Sequence, residues 1–107
     1  MATGILGTPT NVPATTNTTV YTVPADNFAI VSINVTNRST ATRDIRIGLS
    51  ATATPSLAEY IEYDTEIVAN GTIERSGVVL QAGKNIVVYA NSTDTTVMVY
   101  GIETSTT

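Results

Sequence analysis

Four acidic residues that lie close together in the sequence are the first candidates for chemistry. Glu62, Asp64 and Glu66 alternate along one segment, and Glu59 precedes them. Carboxylate oxygens are the ligands that a calcium ion prefers. In a β-strand, however, residues two positions apart lie about 7 Å from each other, and the glycine-containing turn of a calcium loop is missing. The pattern therefore predicts a solvated acidic face, and we expect no metal ion and no cofactor.

A pair of carboxylates could also hydrolyse a glycosidic bond. Glu62 and Glu74 would be the candidates, but such a pair needs a cleft and one carboxyl group with a raised pKa. A small domain without long loops hardly supplies that cleft. The sequence also has no histidine and no cysteine, which removes the usual general base and the thiol nucleophile. We therefore expect no catalytic residues and no enzymatic activity.

The tyrosines offer aromatic rings that could stack against sugars. Tyrosines in strands pack against the sheet more often than they bind a glycan. A glycan-binding surface is therefore the alternative interpretation and not the preferred one. The five tyrosines are Tyr21, Tyr60, Tyr63, Tyr89 and Tyr100.

The charge of the chain limits its partners. Nine acidic residues against five basic ones give a net charge of −4. Binding to a phosphate backbone relies on clustered lysine and arginine, so we expect no nucleic-acid partner. No apolar run approaches the roughly 18 residues of a membrane span, and the beginning of the sequence lacks the pattern of a cleavable signal. We expect a soluble protein with no membrane partner.

Alternation of apolar and polar residues predicts an all-β fold. Phe28 to Asn37 shows it most clearly, with Ala29, Val31, Ile33 and Val35 on one face. About seven such segments are separated by turn signals, which is typical of an antiparallel two-sheet sandwich of jelly-roll or immunoglobulin type, with a small barrel as the competing closure. The strand segments are 18–23, 28–37, 43–50, 60–67 and 72–80, with two more between 85 and 103 and one helical turn near 56–60.

The first 16 residues lack this periodicity, because Gly4, Gly7, Pro9 and Pro13 interrupt it. We therefore divide the chain into an extended N-terminal arm, residues 1–16, and a single β-sandwich domain, residues 17–107. One interpretation is a frayed tail. The other is an arm that binds a neighbouring subunit by burying Ile5, Leu6 and Val12.

Several strands carry apolar groups on both faces. Phe28 and Ile30 lie on the otherwise polar face of their strand, and Val97 and Met98 are adjacent and must face opposite ways. A sandwich covers one face of each strand, so we expect a homo-oligomer in which these side chains are subunit contacts. The competing interpretation is that one subunit buries both faces of these strands itself.

The most telling segments for a family resemblance are Tyr60 to Asp64, Asn70 to Lys84, and Val99 to Glu103. Over about residues 18–103 the chain resembles the small structural proteins of tailed bacteriophage virions, especially marine and cyanobacterial ones. The resemblance implies a non-enzymatic virion protein assembled in the host cytoplasm, above all a capsid decoration or cement protein that attaches to the capsid shell. Its partners would be itself, as a homotrimer, and the major capsid protein or other virion proteins. The alternatives are a tail, baseplate or fibre accessory protein, or a host-surface glycan-binding module.

Overall fold

The computed structural model describes residues 3–6 and 9–105, except for the side chain of Thr3. This part of the chain is all-β, as the alternation predicts. It contains one short 3-10 turn, Leu57–Glu59, at the place where a helical turn is expected. The strands are β1 (Thr3–Ile5), β2 (Thr10–Val12), β3 (Thr18–Thr22), β4 (Asn27–Asn37), β5 (Arg43–Ser50), β6 (Tyr60–Ile67), β7 (Thr72–Leu80), β8 (Asn85–Ala90) and β9 (Thr95–Ser105).

The strands form two packed sheets. In sheet A, β1 and β2 both pair with β9, and the order continues through β4 to β7. In sheet B the order is β3-β8-β5-β6. Every ladder between these strands is antiparallel.

The strand order identifies the type of sandwich. Counting β1 and β2 as one interrupted strand, the chain forms four nested pairs, in which β1/β2 joins β9, β3 joins β8, β4 joins β7, and β5 joins β6. The chain is thus one long hairpin with its tip at residues 51–59. It is rolled up so that β4 lies beside β9 and β5 beside β8. This arrangement is an eight-stranded jelly roll.

The core lies between the sheets and is built from alternate residues. In β4 the four predicted core residues are buried completely or almost completely, and the residues between them face outward. Ile45 and Ile47 from β5 and Ile86 and Val88 from β8 oppose them from sheet B with 0% exposure. Each such side chain stabilises the fold by about 1.5–3 kcal/mol relative to an exposed position. The core therefore explains why a chain without disulfides can hold two sheets together.

The N-terminal segment differs from the predicted arm. Its two described strands, β1 and β2, form the edge of sheet A, with Ile5 opposite Tyr100 and Val12 opposite Thr95 on β9. Leu6 donates its backbone N–H to the carbonyl of Val99 at 2.8 Å, so the pairing continues past β1. The segment belongs to the sandwich because the outer edge of β9 offers it hydrogen bonds that a free tail would have to make with water.

A loop covers part of the outer face of sheet B. A methyl group added at Gly48 would lie only 2.5 Å from Cγ of Pro55, so the loop 51–59 folds back onto this strand. Val87, the cross-strand neighbour of Gly48, points away from the core and is nevertheless only 1% exposed. At Val87, therefore, one subunit does bury both faces of β8.

Candidate functional site: the outer face of sheet A

The outer face of sheet A carries several exposed apolar side chains. Its side chains alternate with the core residues of β4 and β9. Because Val31 and Val99 face inward, Ile30 and Tyr100 must face outward. The residues that this alternation places outward are Phe28, Ile30, Ser32, Asn34 and Thr36 on β4, and Thr96, Met98, Tyr100, Ile102 and Thr104 on β9.

Apolar side chains are concentrated at one end of this face. Val79, Ile30 and Ile102 are direct cross-strand neighbours, and they form one row over β7, β4 and β9. In the next row Ile5 lies opposite Tyr100. The exposed fractions are 65% for Val79, 46% for Ile30, 45% for Ile102 and 56% for Ile5. We call this set, with Phe28, Met98 and Tyr100, the apolar patch.

The apolar patch contains no charged side chain. Among the described strand residues that point outward from sheet A, Glu74 is the one that carries a charge, and it lies opposite Asn34. The far end of the face is polar, and there Arg38 donates through Nε to the hydroxyl of Thr96 at 2.8 Å. The face therefore changes along its length from apolar to polar.

The predicted subunit contacts separate into two groups. Ile5, Phe28, Ile30 and Met98 lie on the outer face of sheet A. The side chains of Leu6, Val12 and Val97 are 3%, 0% and 1% exposed and belong to the subunit's own core, so these three predicted contacts are corrected. They point inward because strand alternation places them beside Val99 and Thr95, the inward-facing residues of β9.

Sequence reasoning missed Ile102 and Tyr100 as members of this surface. The signal was present in the alternation of Val97 and Val99 with their neighbours, which assigns even-numbered residues of β9 to the opposite face. The sequence alone does not predict which strand lies beside β9. Ile102 becomes important because β9 lies beside β4 and places it against Ile30.

Two of the acidic residues of β6 form ion pairs with two different arginines. Asp64 has a positive φ of 52°, and β6 shifts register there, so the predicted strict alternation of β6 is interrupted. Asp64 accepts from Arg46 at 2.6 Å. Glu62 instead pairs with Arg75 of sheet A at 2.5 Å, which joins the adjacent edges of the two sheets. Over residues 3–6 and 9–105, no three acidic residues come together as a metal ligand group.

The tyrosines occupy three different environments. Tyr60 and Tyr63 meet edge to face with ring centroids 5.1 Å apart, and the guanidinium of Arg46 lies over Tyr63 at 4.2 Å and over Tyr89 at 4.8 Å. These rings lie on the outer face of sheet B. Tyr100 lies in the apolar patch, and Tyr21 lies inside the sandwich. The five rings therefore do not form one platform.

Tyr21 joins the two sheets at one end of the core. Its hydroxyl donates to the carboxylate of Glu103 at 2.5 Å, from β3 in sheet B to β9 in sheet A. Burial raises the pKa of the Tyr21 hydroxyl above its ordinary value of 10.0, and the hydrogen bond to Glu103 raises it further. The contact holds the ends of the sheets together while the tyrosine is neutral.

The remaining surface offers little for a small ligand. The described part of the chain forms no pocket. None of its helical segments is long and apolar enough to cross a membrane.

Comparisons with protein-family models, with curated proteins and with solved structures find no match. The functional argument therefore rests on the surface of this chain itself.

Proposed function

We propose that this chain is a non-enzymatic structural component of a phage virion, and specifically a decoration or cement protein of the capsid shell. The observation that carries the proposal is the apolar patch. Among the residues that the structure describes, four of the seven large apolar side chains that are strongly exposed lie together on the outer face of sheet A. A surface of this kind indicates an interaction site. The proposal states that assembly covers it.

The architecture supports a role in assembly over a role in catalysis. A jelly roll is found in viral capsid proteins and in lectins, so the fold agrees with the proposal without deciding it. Glu62–Arg75 and Tyr21–Glu103 join the two sheets directly. A rigid, thiol-free unit with an uncharged contact face suits a protein that stabilises a particle by adding contact area.

The copy number of the chain in purified particles tests this proposal. Quantitative mass spectrometry of particles from cells that make the chain should find it in many copies, in fixed ratio to the major capsid protein. Absence from the particles, or presence in trace amounts, would contradict the proposal. Immunogold labelling distinguishes the capsid shell from the tail, baseplate and fibre locations.

Two valine-to-lysine variants test whether incorporation into particles depends on the apolar patch. Val79 and Val68 are 65% and 67% exposed, but only Val79 belongs to the apolar patch. We expect Val79→Lys to lower incorporation at least about tenfold, because assembly would bury an unpaired ammonium group. Val68→Lys should be incorporated like the native chain. Equal incorporation of both variants would show that the apolar patch is not used.

A glycan-binding module is the second candidate. The observation that favours it is the group of Tyr63, Tyr89 and Arg46 on the outer face of sheet B, where Tyr63 is 49% exposed. Aromatic rings of this kind stack on sugar rings. Binding to a glycan array that is lost in Tyr63→Ala and kept in Val79→Lys would favour this function over the first.

A further inference from the structure

We propose that Asn70 is a site of covalent modification, at which the folded chain deamidates without an enzyme at a rate set by opening of the turn between β6 and β7. The reacting groups are the side-chain amide of Asn70 and the backbone nitrogen of Gly71. Asparagine is among the chemically labile residues, and it is most labile before glycine, which has no side chain to hinder the attack. The inference goes beyond the proposed function and does not depend on it.

The surroundings of Asn70 leave its side chain free to react. The sequence has eight asparagines, and Asn70 is the one that glycine follows. Asn70 is exposed. Its hydrogen bond to the described part of the chain is a backbone one, from its N–H to the carbonyl of Ser39 at 3.0 Å. The side-chain amide is therefore not restrained by a hydrogen bond to these residues.

The other asparagines lack this combination. Asn37 is buried and donates through Nδ2 to three backbone carbonyls. Asn17 and Asn27 precede Thr18 and Phe28, whose side chains hinder attack by the following nitrogen. Hydrogen bonds hold the side-chain oxygens of the remaining four, which are Asn11, Asn34, Asn85 and Asn91.

The turn itself favours the labile pair. Gly71 donates its N–H to the carbonyl of Val68 at 2.9 Å, which closes the four-residue turn 68–71. Asn70 has a positive φ of 58°, which asparagine tolerates better than most residues. A Cβ at position 71 would lie 2.7 Å from Cγ2 and 3.0 Å from the carbonyl oxygen of Val68, so glycine is favoured there. The fold thus selects asparagine followed by glycine, although this pair is chemically weak.

The reaction has two steps. In the first, the nitrogen of Gly71 attacks Cγ of Asn70, the N–Cγ bond forms, the Cγ–Nδ2 bond breaks, and Nδ2 leaves as ammonia with the proton of the Gly71 N–H. In the second, water adds to either carbonyl of the cyclic imide and opens it to aspartate or isoaspartate. Either product adds one negative charge to the net charge of −4.

The hydrogen bonds of the turn control the rate. The Gly71 nitrogen must lose its proton to react, and in the folded chain that proton is bonded to Val68. Asn37 also holds the turn, because its backbone N–H donates to the Gly71 carbonyl at 2.9 Å and its Nδ2 donates to the Val68 carbonyl at 3.1 Å. Attack therefore requires local opening, and we expect deamidation to be about tenfold to a hundredfold slower in the folded chain than in urea.

Peptide mass spectrometry of the full chain tests the inference. Trypsin cleaves after Arg46 and Arg75, and the peptide 47–75 between them has Asn70 as its one asparagine and has no glutamine. During incubation of the native chain at mildly alkaline pH, this peptide should gain the mass that separates a hydroxyl from an amino group, in both aspartate and isoaspartate forms. It should change before the peptides that contain the other asparagines.

Ala69→Pro tests whether opening of the turn sets the rate. Ala69 is exposed, its N–H donates no hydrogen bond to the residues described, and proline fits the second position of such a turn. The variant keeps Asn70 and Gly71 and favours the closed turn, so deamidation should be about two- to fivefold slower than in the native chain when both are folded. In urea the two rates should be equal. Equal rates in the folded state, or the same slowing in urea, would contradict control by the turn.

Hydrogen exchange at Gly71 provides an independent measurement on the native chain. The factor by which folding slows deamidation should agree within about threefold with the protection of the Gly71 N–H against exchange. The inference would be overturned by a native peptide 47–75 that stays unchanged while the unfolded chain converts, by earlier conversion at another asparagine, or by equal rates in the folded and unfolded chains.

Discussion

Gly101 is a residue at which the backbones of β9 and β4 approach each other closely. Its φ is +151°, and a Cβ at this position would lie 2.1 Å from the carbonyl oxygen of Ile30. We expect Gly101→Ala to lower the free energy of unfolding by about 2–4 kcal/mol, because a side chain is strained in this conformation and overlaps the neighbouring strand. Urea denaturation followed by circular dichroism measures the change.

Gly77 provides the control for this substitution. It also has a positive φ, +69°, but no atom lies within 4 Å of the position that a Cβ would occupy. Gly77→Ala should therefore cost only the strain of a left-handed backbone, about 1–2 kcal/mol. If the two alanine variants were equally destabilised, close approach of the strands would not be the reason for glycine at position 101.

Because of Tyr21, we expect the stability of the protein to decrease at alkaline pH. Its pKa is raised in the folded state by burial first and by the hydrogen bond to Glu103 second, whereas the unfolded chain ionises near the ordinary value of 10.0. The folded state therefore retains a proton that the unfolded state loses. The stabilisation is complete below pH 10.0 and falls as the pH rises above that value, by up to about 1.4 kcal/mol per pH unit.

Comparison with Tyr21→Phe isolates this contribution from the other groups that titrate at high pH. The variant should be less stable than the native chain by about 1–2 kcal/mol at pH 7, because Glu103 loses its buried donor. The difference should shrink as the pH rises above about 10. A constant difference between the two proteins from pH 7 to pH 11 would show that Tyr21 does not hold its proton in the fold.

β1 and the residue that follows it, Leu6, are a structural part of sheet A. Leu6 is 3% exposed in the core, and its neighbour Ile5 is 56% exposed on the outer face. We expect Leu6→Ala to lower the free energy of unfolding by about 2–4 kcal/mol, because it leaves a cavity. Ile5→Ala should change it by less than about 1 kcal/mol in dilute solution. Equal, small effects would indicate a segment that is not packed on β9.

Local pattern was sufficient to predict the strands from β3 to β9 and the core residues of β4. It failed where a strand is stabilised by a distant partner. The sequence from residue 3 to residue 12 has glycine and proline in place of alternation. β1 and β2 nevertheless pair, because β9 offers a free edge about 90 residues later in the chain. It also failed at Asp64, where the backbone adopts a positive φ and β6 shifts its register against β5. Aspartate tolerates this conformation better than most residues, but its identity alone does not predict a bulge.

The strand order brings apolar residues that are far apart in the sequence together on one face of sheet A. The sequence predicts Ile5, Phe28, Ile30 and Met98 as contacts, and the jelly roll brings them to one face together with Ile102. Turn signals define only which strands follow each other, whereas this face depends on the pairing of β4 with β9 and of β1 with β9. The existence of exposed apolar groups was therefore predictable, and their position on one sheet was not.

Hydroxyl-radical footprinting of the assembled protein tests most directly whether the apolar patch is covered. The labelling of each side chain in purified particles is compared with that of the dilute chain. The account predicts that Ile30, Val79 and Ile102 are protected in the assembly, while Leu57, which is 79% exposed on the loop that packs over sheet B, is labelled equally in both states. Full labelling of Ile30, Val79 and Ile102 in the assembled state would contradict it.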